Sequence, residues 1–571
     1  MDASGRALAL PRAATGSAWR VAPALGVVLI WGFLGIFLLY PLARIFYDAV
    51  TDDAGRLTLG HFHAFFTDRF YLRSLWNSLL LGLGVVAASS VLGIGIAFLV
   101  VRYEFWGRSV FSYLTQIPII SPPLVGVLGF VFILGRAGTV NVLLMDYFDL
   151  VTPVNFMYGL HGVLLVETLH LFPMITLNVV DALGKVDPAL EEAAESVGAR
   201  GWRKLWTVTL PLTTPGYVAG ALLVFIWTLA DFVTPLVVGV HDLLASQAYL
   251  NIVQFVDRRL FRMGIVISAL LVLLAVAFLL LARHYVAIKD YSSLAYTKVE
   301  RRRLPAMFQA VVVAALSAVM LLAFLPYLGI ALAAFGRGWS LTPLPTHYTL
   351  QFFERVLVET PKYVANSLLY AGLALLLCVG VGLPIAWILA RTRLPGRGTF
   401  DALNTLILAI PGTAIGIAYV RAFHVNLPGL GVPLTSLWII LPLVLAVRRL
   451  PYAVRGSYAS LLLVHPALEE AAGSVGASRL RSFWDVTLPL IWKGVLVGGL
   501  FSFMTSLQEA SAVLFLSLGG WETITVGIFN FYIAGSTSEA AALGVVLIVV
   551  AVVCVVLINR VAGARMGGMF G

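Results

Sequence analysis

Two carboxylates stand inside long apolar runs, Asp231 in IWTLADFVTPL and Glu509 in MTSLQEASAVL. They lie 278 positions apart, and each follows by 15 residues the glycine (Gly216, Gly494) that closes a repeated motif. At 1.5 Å per residue that is a rise of about 22 Å, which carries both acids into the far half of a hydrocarbon core about 30 Å thick. A carboxylate near mid-membrane costs about 2.5–3.5 kcal/mol on insertion scales, so each needs a cavity or a cationic partner. Two roles fit. The acids could be a matched pair lining a translocation pathway for a metal or an amine, or they could pair structurally inside the bundle, for instance with Arg421. Glu167 and His170, one helical turn apart, have metal-ligand spacing, but the favoured reading is a buried hydrogen-bonded pair near the cytoplasmic end. Cys378 and Cys554 both sit in apolar runs, which argues against a disulfide framework and a cysteine-based metal site.

The elements that must hold these residues follow from composition. Of 571 residues 60% are apolar and 12% charged, against roughly 45–50% and 25% in soluble domains. The apolar residues come in runs of 20 or more, so the chain is a polytopic membrane protein. Its net charge of +10 sits in short loops between apolar segments, which is a topology signal and not a nucleic-acid surface. Arg6, Arg12 and Arg20 precede the run Val21–Tyr40, which is too long for a signal-peptide core and is taken as the first membrane helix.

The expected fold is all-α, with about twelve transmembrane helices. The predicted spans cover about 21–43, 75–101, 110–135, 158–182, 214–240 and 264–283, then 307–335, 364–390, 401–424, 434–449, 493–517 and 541–559. With the N- and C-termini cytoplasmic, 26 of the 38 Lys and Arg fall on the inner side, although Arg258, Arg259 and Arg262 fall outside. Arg448 and Arg449 are expected to mark the inner boundary of their span.

The two sets of spans repeat. Asn77-Ser-Leu-Leu returns as Asn366-Ser-Leu-Leu, and Arg102 as Arg391, at an offset of 289; Pro173 returns as Pro451 at 278. Six spans per half is an even number, so the halves are parallel repeats about a pseudo-twofold axis along the membrane normal. The division is 1–283 for the first repeat, 284–306 for a cytoplasmic linker and 307–571 for the second repeat. Lys289, Lys298 and Arg301 to Arg303 make the linker basic. Pro118, Pro122, Pro123 and Pro411 with Gly412 are expected to break helices near the membrane.

The strongest repeat lies between the fourth and fifth spans. DPALEEAAESVGARGWRKLWTVTLPLTTPG (187–216) returns as HPALEEAAGSVGASRLRSFWDVTLPLIWKG (465–494), with 19 of 30 positions identical and no gap. Each copy has the pattern helix, turn, helix. Pro188 and Pro466 suit the first helical turn, and Asp187 can cap the first copy while His465 is a poorer cap. Leu190, Ala193, Ala194 and Val197 form one apolar stripe, repeated by Leu468, Ala471, Ala472 and Val475. Glu191 and Glu192, like Glu469 and Glu470, stand in the first turn, where the helix dipole favours them. Gly198 and Gly476 can end the helices in a left-handed conformation.

This pattern resembles the signature loop of permeases in binding-protein-dependent ABC importers: EAA, three residues, Gly, nine residues, an aliphatic, one residue, then Leu-Pro. Glu192-Ala193-Ala194, Gly198, Val208 and Leu210-Pro211 match it once; Glu470-Ala471-Ala472, Gly476, Val486 and Leu488-Pro489 match it again. The resemblance covers essentially the whole chain and implies two fused permease subunits. It implies that Glu191 to Ala194 with Gly198, and Glu469 to Ala472 with Gly476, form coupling helices that dock on two copies of a cytoplasmic ATPase. No G-x-x-x-x-G-K-[ST] phosphate loop occurs in the chain. ATP would therefore be bound and hydrolysed by the partner, with no cofactor in this chain and no catalytic residue of its own. The resemblance also implies an extracytoplasmic substrate-binding protein and a bacterial inner-membrane location. The runs SPPLVGVLGFVFILGRAGTVN, TLADFVTPLVVG and IPGTAIGIAYVRAF look like the ferric-iron type, whose relatives serve 2-aminoethylphosphonate and thiamine. Ferric iron leads narrowly. An ion-coupled secondary transporter would explain the intramembrane acids but not the two matched loops.

Overall fold

In hydrocarbon a backbone must satisfy its own hydrogen bonds, so long apolar runs become helices. The computed structural model of the chain describes residues 18–253, 257–288, 301–339, 342–394, 396–426 and 431–562. Arg6, Arg12, Lys289 and Lys298 lie outside them. Six helices long and apolar enough to span a membrane fill the first half: Gly26–Ala49, Arg69–Arg102, Pro123–Phe148, Leu160–Gly184, Leu205–Ala230 and Arg258–Val286. Four such helices lie in the second half: Ala306–Phe335, Lys362–Arg391, Arg479–Leu507 and Thr537–Val561. An eleventh span is bent by 107° between Arg397–Ala409 and Gly412–Phe423. Ile440–Leu463 holds the place that matches Leu160–Gly184, but carries Arg448, Arg449 and Arg455 along its length. Among the described residues strands are confined to two short pairs, Tyr103–Glu104 with Arg302–Arg303 and Gly336–Arg337 with His347–Tyr348. Large apolar side chains such as Val91, Leu321 and Leu376 are exposed on the outside of the bundle, where they would face lipid.

The third spans are broken at the prolines expected to break them. In the first half the segment is divided into Arg108–Leu114, Ile117–Ile120 and Pro123–Leu134. In the second it breaks before Gly412. Pro122 (ψ 132°) and Pro411 (ψ 140°) are both extended and stand 289 residues apart, so the two breaks are equivalent. Proline removes a donor and disfavours helix in the residue before it, which accounts for both. The fifth spans break as well, after Ala230 and after Leu507, where unbroken helices to 240 and 517 were expected.

The halves are interleaved. The first span of each packs on the third span of the other. On one side Tyr419 donates to the Phe37 carbonyl (2.6 Å), Tyr40 donates to the Ala422 carbonyl (3.3 Å), and Arg421 pairs with Asp48 (2.6 Å). On the other, a Cβ on Gly129 would lie 2.0 Å from the Pro326 carbonyl oxygen, so the helices cross with backbone against backbone.

Candidate functional site

Each repeated loop begins with a capped helix. Asp187 accepts from the Ala189 amide (2.9 Å) ahead of Pro188–Ser196; in the second copy the His465 ring accepts from the Ala467 amide (3.2 Å) ahead of Ala467–Ser474. Both helices end where expected, on Gly198 (φ +89°) and Gly476 (φ +87°). The amides of Ala199 and Ala477 reach back to the carbonyls of Ala194 and Ala472 (2.9 and 3.0 Å), closing a Schellman motif in each. The apolar stripe is oriented differently from a helix packed on its own bundle. Ala194 alone is buried, whereas Val197 and Val475 are 85% and 86% exposed and Leu190 and Leu468 about half exposed. The stripe therefore looks outward, as an uncovered apolar ridge in each copy.

The paired glutamates divide their work. Glu192 and Glu470 are exposed, while Glu191 and Glu469 turn inward. Glu191 meets Arg102 at the end of the second span (2.6 Å) and accepts from Thr209 (2.8 Å). Glu469 meets Arg391 (3.0 Å), whose guanidinium also donates to the Leu461 and Val464 carbonyls at the end of the fourth span. Arg102 and Arg391 are visible in the sequence as a repeated pair of span ends; their partners are not. Glu195 is peculiar to the first loop. It pairs with Lys204 (2.6 Å) and with Arg302 of the linker (3.4 Å). The hydrogen bond and charge of Lys204, with Arg302 adding, hold its carboxyl below the ordinary glutamate range. Gly473 stands at the matching place in the second loop.

Asp231 and Glu509 both stand at the breaks of the fifth spans and both line one cavity of ≈ 180 Å³ between the halves. Each caps a short helix that restarts after the break. Asp231 accepts from the amides of Val233 (2.9 Å) and Thr234 (3.3 Å), and Glu509 from that of Ala512 (3.1 Å). Glu167 and His170 line the same space, beside Asp231. Among the described residues no three His, Cys, Asp or Glu are arranged to hold a metal ion.

Two expectations about arginines are overturned. Arg421 is engaged by Asp48 and pairs with neither acid. Arg448 and Arg449 do not mark a boundary; they lie within Ile440–Leu463 and both hold Glu509, Arg448 at 2.9 Å. Arg448 also donates to the Ile410 carbonyl, freed by the Pro411 break (3.3 Å). A Cβ on Gly412 would come within 3.1 Å of both Arg448 and Glu509, so the break and the ion pair fit together only with glycine there. Gln508 donates to the Ile120 carbonyl across the halves, beside the other break.

The profile of the family described as "Binding-protein-dependent transport system inner membrane component" matches residues 89–290 and 382–568. The chain is 28% identical over 552 residues to a ferric transport system permease protein of Actinobacillus pleuropneumoniae, covering 94% of this chain and 78% of that one. It is 34% identical over 163 residues to the molybdenum transport system permease protein of Escherichia coli, covering 28% of this chain and 69% of that one. A bacterial alginate ABC transporter, solved with its periplasmic protein, aligns over 48% of this chain and 96% of its own at 18% identity, with a TM-score of 0.39. With two family matches that together take in most of its length, this chain belongs to the multi-pass inner-membrane permeases of binding-protein-dependent ABC importers.

Proposed function

We propose that the chain is both permease subunits of a ferric-iron importer in one polypeptide, 1–283 and 307–571, joined by the linker 284–306. It receives its cargo from an extracytoplasmic binding protein and passes it through the cavity at Asp231 and Glu509 into the cytoplasm. A separate ATPase supplies the energy, with one copy at each repeated loop, so the chain binds no nucleotide and needs no cofactor of its own. Both termini and both loops are cytoplasmic. The observation that carries this reading is the pair of outward-facing loop helices, each with two exposed apolar residues, an exposed glutamate and a left-handed glycine. A groove on a partner would cover such a ridge. The inward Glu191–Arg102 and Glu469–Arg391 contacts would carry a push on the loop into the second spans. Ferric iron is favoured by the ferric relative.

The test is uptake of labelled ferric iron in cells lacking the gene, with and without the gene restored. Uptake that returns with the gene and vanishes when the partner ATPase is inactivated supports the proposal. Uptake that persists without any ATPase would favour an ion-coupled carrier.

A further inference from the structure

The two walls of the cavity carry opposite signs. On the first-half wall stand Glu167, His170 and Asp231; the Glu167 and Asp231 carboxyls share a hydrogen bond, and among the described residues neither acid has a Lys or Arg ion-pair partner. On the second-half wall two guanidiniums, Arg448 and Arg449, share the single carboxylate of Glu509. One positive charge is left over there, and the Arg449 Nε is buried without a hydrogen-bond partner. The matched pair of acids expected from the sequence is thus unequal: Glu509 is spent on arginines, and Asp231 is not. A bare cation would be held by the first wall and repelled by the second, and a bare oxyanion would meet the reverse. A solute bringing both charges meets complementary groups on both sides.

We propose that the cavity is a two-ended site for a compact solute that carries a cationic centre and an oxyanion together. The cationic end lies against Glu167 and Asp231, and the oxyanion against Arg448 and Arg449. This rests on the importer reading above and specifies its cargo. Two sources share the chemistry: a ferric ion travelling with a bound oxyanion, and an amine–phosphonate zwitterion. The volume of ≈ 180 Å³ limits either to a small solute.

The test uses cells lacking the gene, restored with the natural or altered full-length chain. The probes are labelled ferric iron supplied with labelled phosphate, and labelled 2-aminoethylphosphonate, with membrane abundance of the permease measured in parallel. The natural chain should bring in phosphate label in step with iron, or bring in the zwitterion; which of these occurs identifies the source. Asp231→Asn and Arg449→Gln should each lower that uptake about tenfold or more at equal abundance. Arg449→Lys, which keeps the charge, should recover part of it. Iron entering without phosphate label, with Arg449→Gln within about twofold of the natural chain, would overturn the two-ended site and leave the importer intact. If neither probe depends on the gene, the ferric reading falls and this inference with it.

Discussion

The repeated loops and the cavity are built from the same two halves, yet they treat the repeat in opposite ways. In the loops, equivalent positions do equivalent things. Gly198 and Gly476 have the same left-handed backbone, and Glu191 and Glu469 turn to equivalent arginines, Arg102 and Arg391, at the ends of the second spans. In the cavity, positions 278 apart hold His170 and Arg448, Leu171 and Arg449, Glu167 and Leu445. Asp231 and Glu509 keep their carboxylates and their capping bonds but differ in charge environment. On the proposed function, the loops meet two copies of one partner, and such a surface has to be presented twice. On the same proposal, the chamber between the halves takes one solute with two sides to complement, and nothing in its geometry requires them to match.

The largest effect that would sharpen this contrast comes from removing the second-half acid. Glu509→Gln leaves two buried guanidiniums without their carboxylate, and breaking a buried pair in this way costs about 3–5 kcal/mol. Membrane abundance and thermal stability in detergent should fall together. Asp231→Asn should leave both nearly intact and reduce uptake instead; equal losses of stability in the two variants would erase the difference between the walls.

Gly198→Pro combined with Gly476→Pro should abolish ATP-driven uptake while the protein stays in the membrane, because proline has no access to φ near +88°. Retained uptake would refute the coupling role of the loops.

Intermediate effects are expected from the loop arginines. Arg102→Ala and Arg391→Ala each remove a glutamate's counter-ion and should cost about 1–3 kcal/mol of loop order. The readout is ATP hydrolysis that continues while uptake per ATP falls severalfold. Arg391→Ala should be the more damaging, since it also frees the Leu461 and Val464 carbonyls.

The smallest effect concerns Glu195, whose place in the second loop is taken by Gly473. Glu195→Gln should alter uptake by less than about twofold, in keeping with an exposed ion pair. Its lowered pKa means that its contacts with Lys204 and Arg302 persist above the ordinary glutamate range and loosen only as pH falls through the lower folded value. Hydrogen exchange in the first loop, followed at decreasing pH, would detect that loosening.

Helix type, repeat and loop helices were legible because they depend on local spacing: apolar runs, proline and glycine at fixed places, and a capping aspartate at 187. The breaks at Pro122 and Pro411 announce themselves by residue type. Those at Asp231 and Glu509 do not, since no proline or glycine stands at either point. The available signal was an acid followed two or three residues later by amides it could cap. Arg448 and Arg449 were misread because an arginine pair near the end of an apolar run usually marks the interface, and their partner lies 61 and 60 residues further on. The interleaving of the first spans left no trace in the pattern, because periodicity identifies a face and not its neighbour.

That interleaving sets a timetable for synthesis. Asp48 is made 373 residues before Arg421, the arginine that holds it from the other half. At roughly 5–20 residues per second the chain takes about 20–75 s to supply that partner. During that interval a carboxylate at the end of the first span is in the bilayer with its long-range partner not yet made. Arg44, one turn earlier on the same helix, contacts Asp48 at 3.1 Å and emerges with it. The first span thus brings its own counter-ion, and its acid passes from a local partner to a shared one when the third span of the second half arrives.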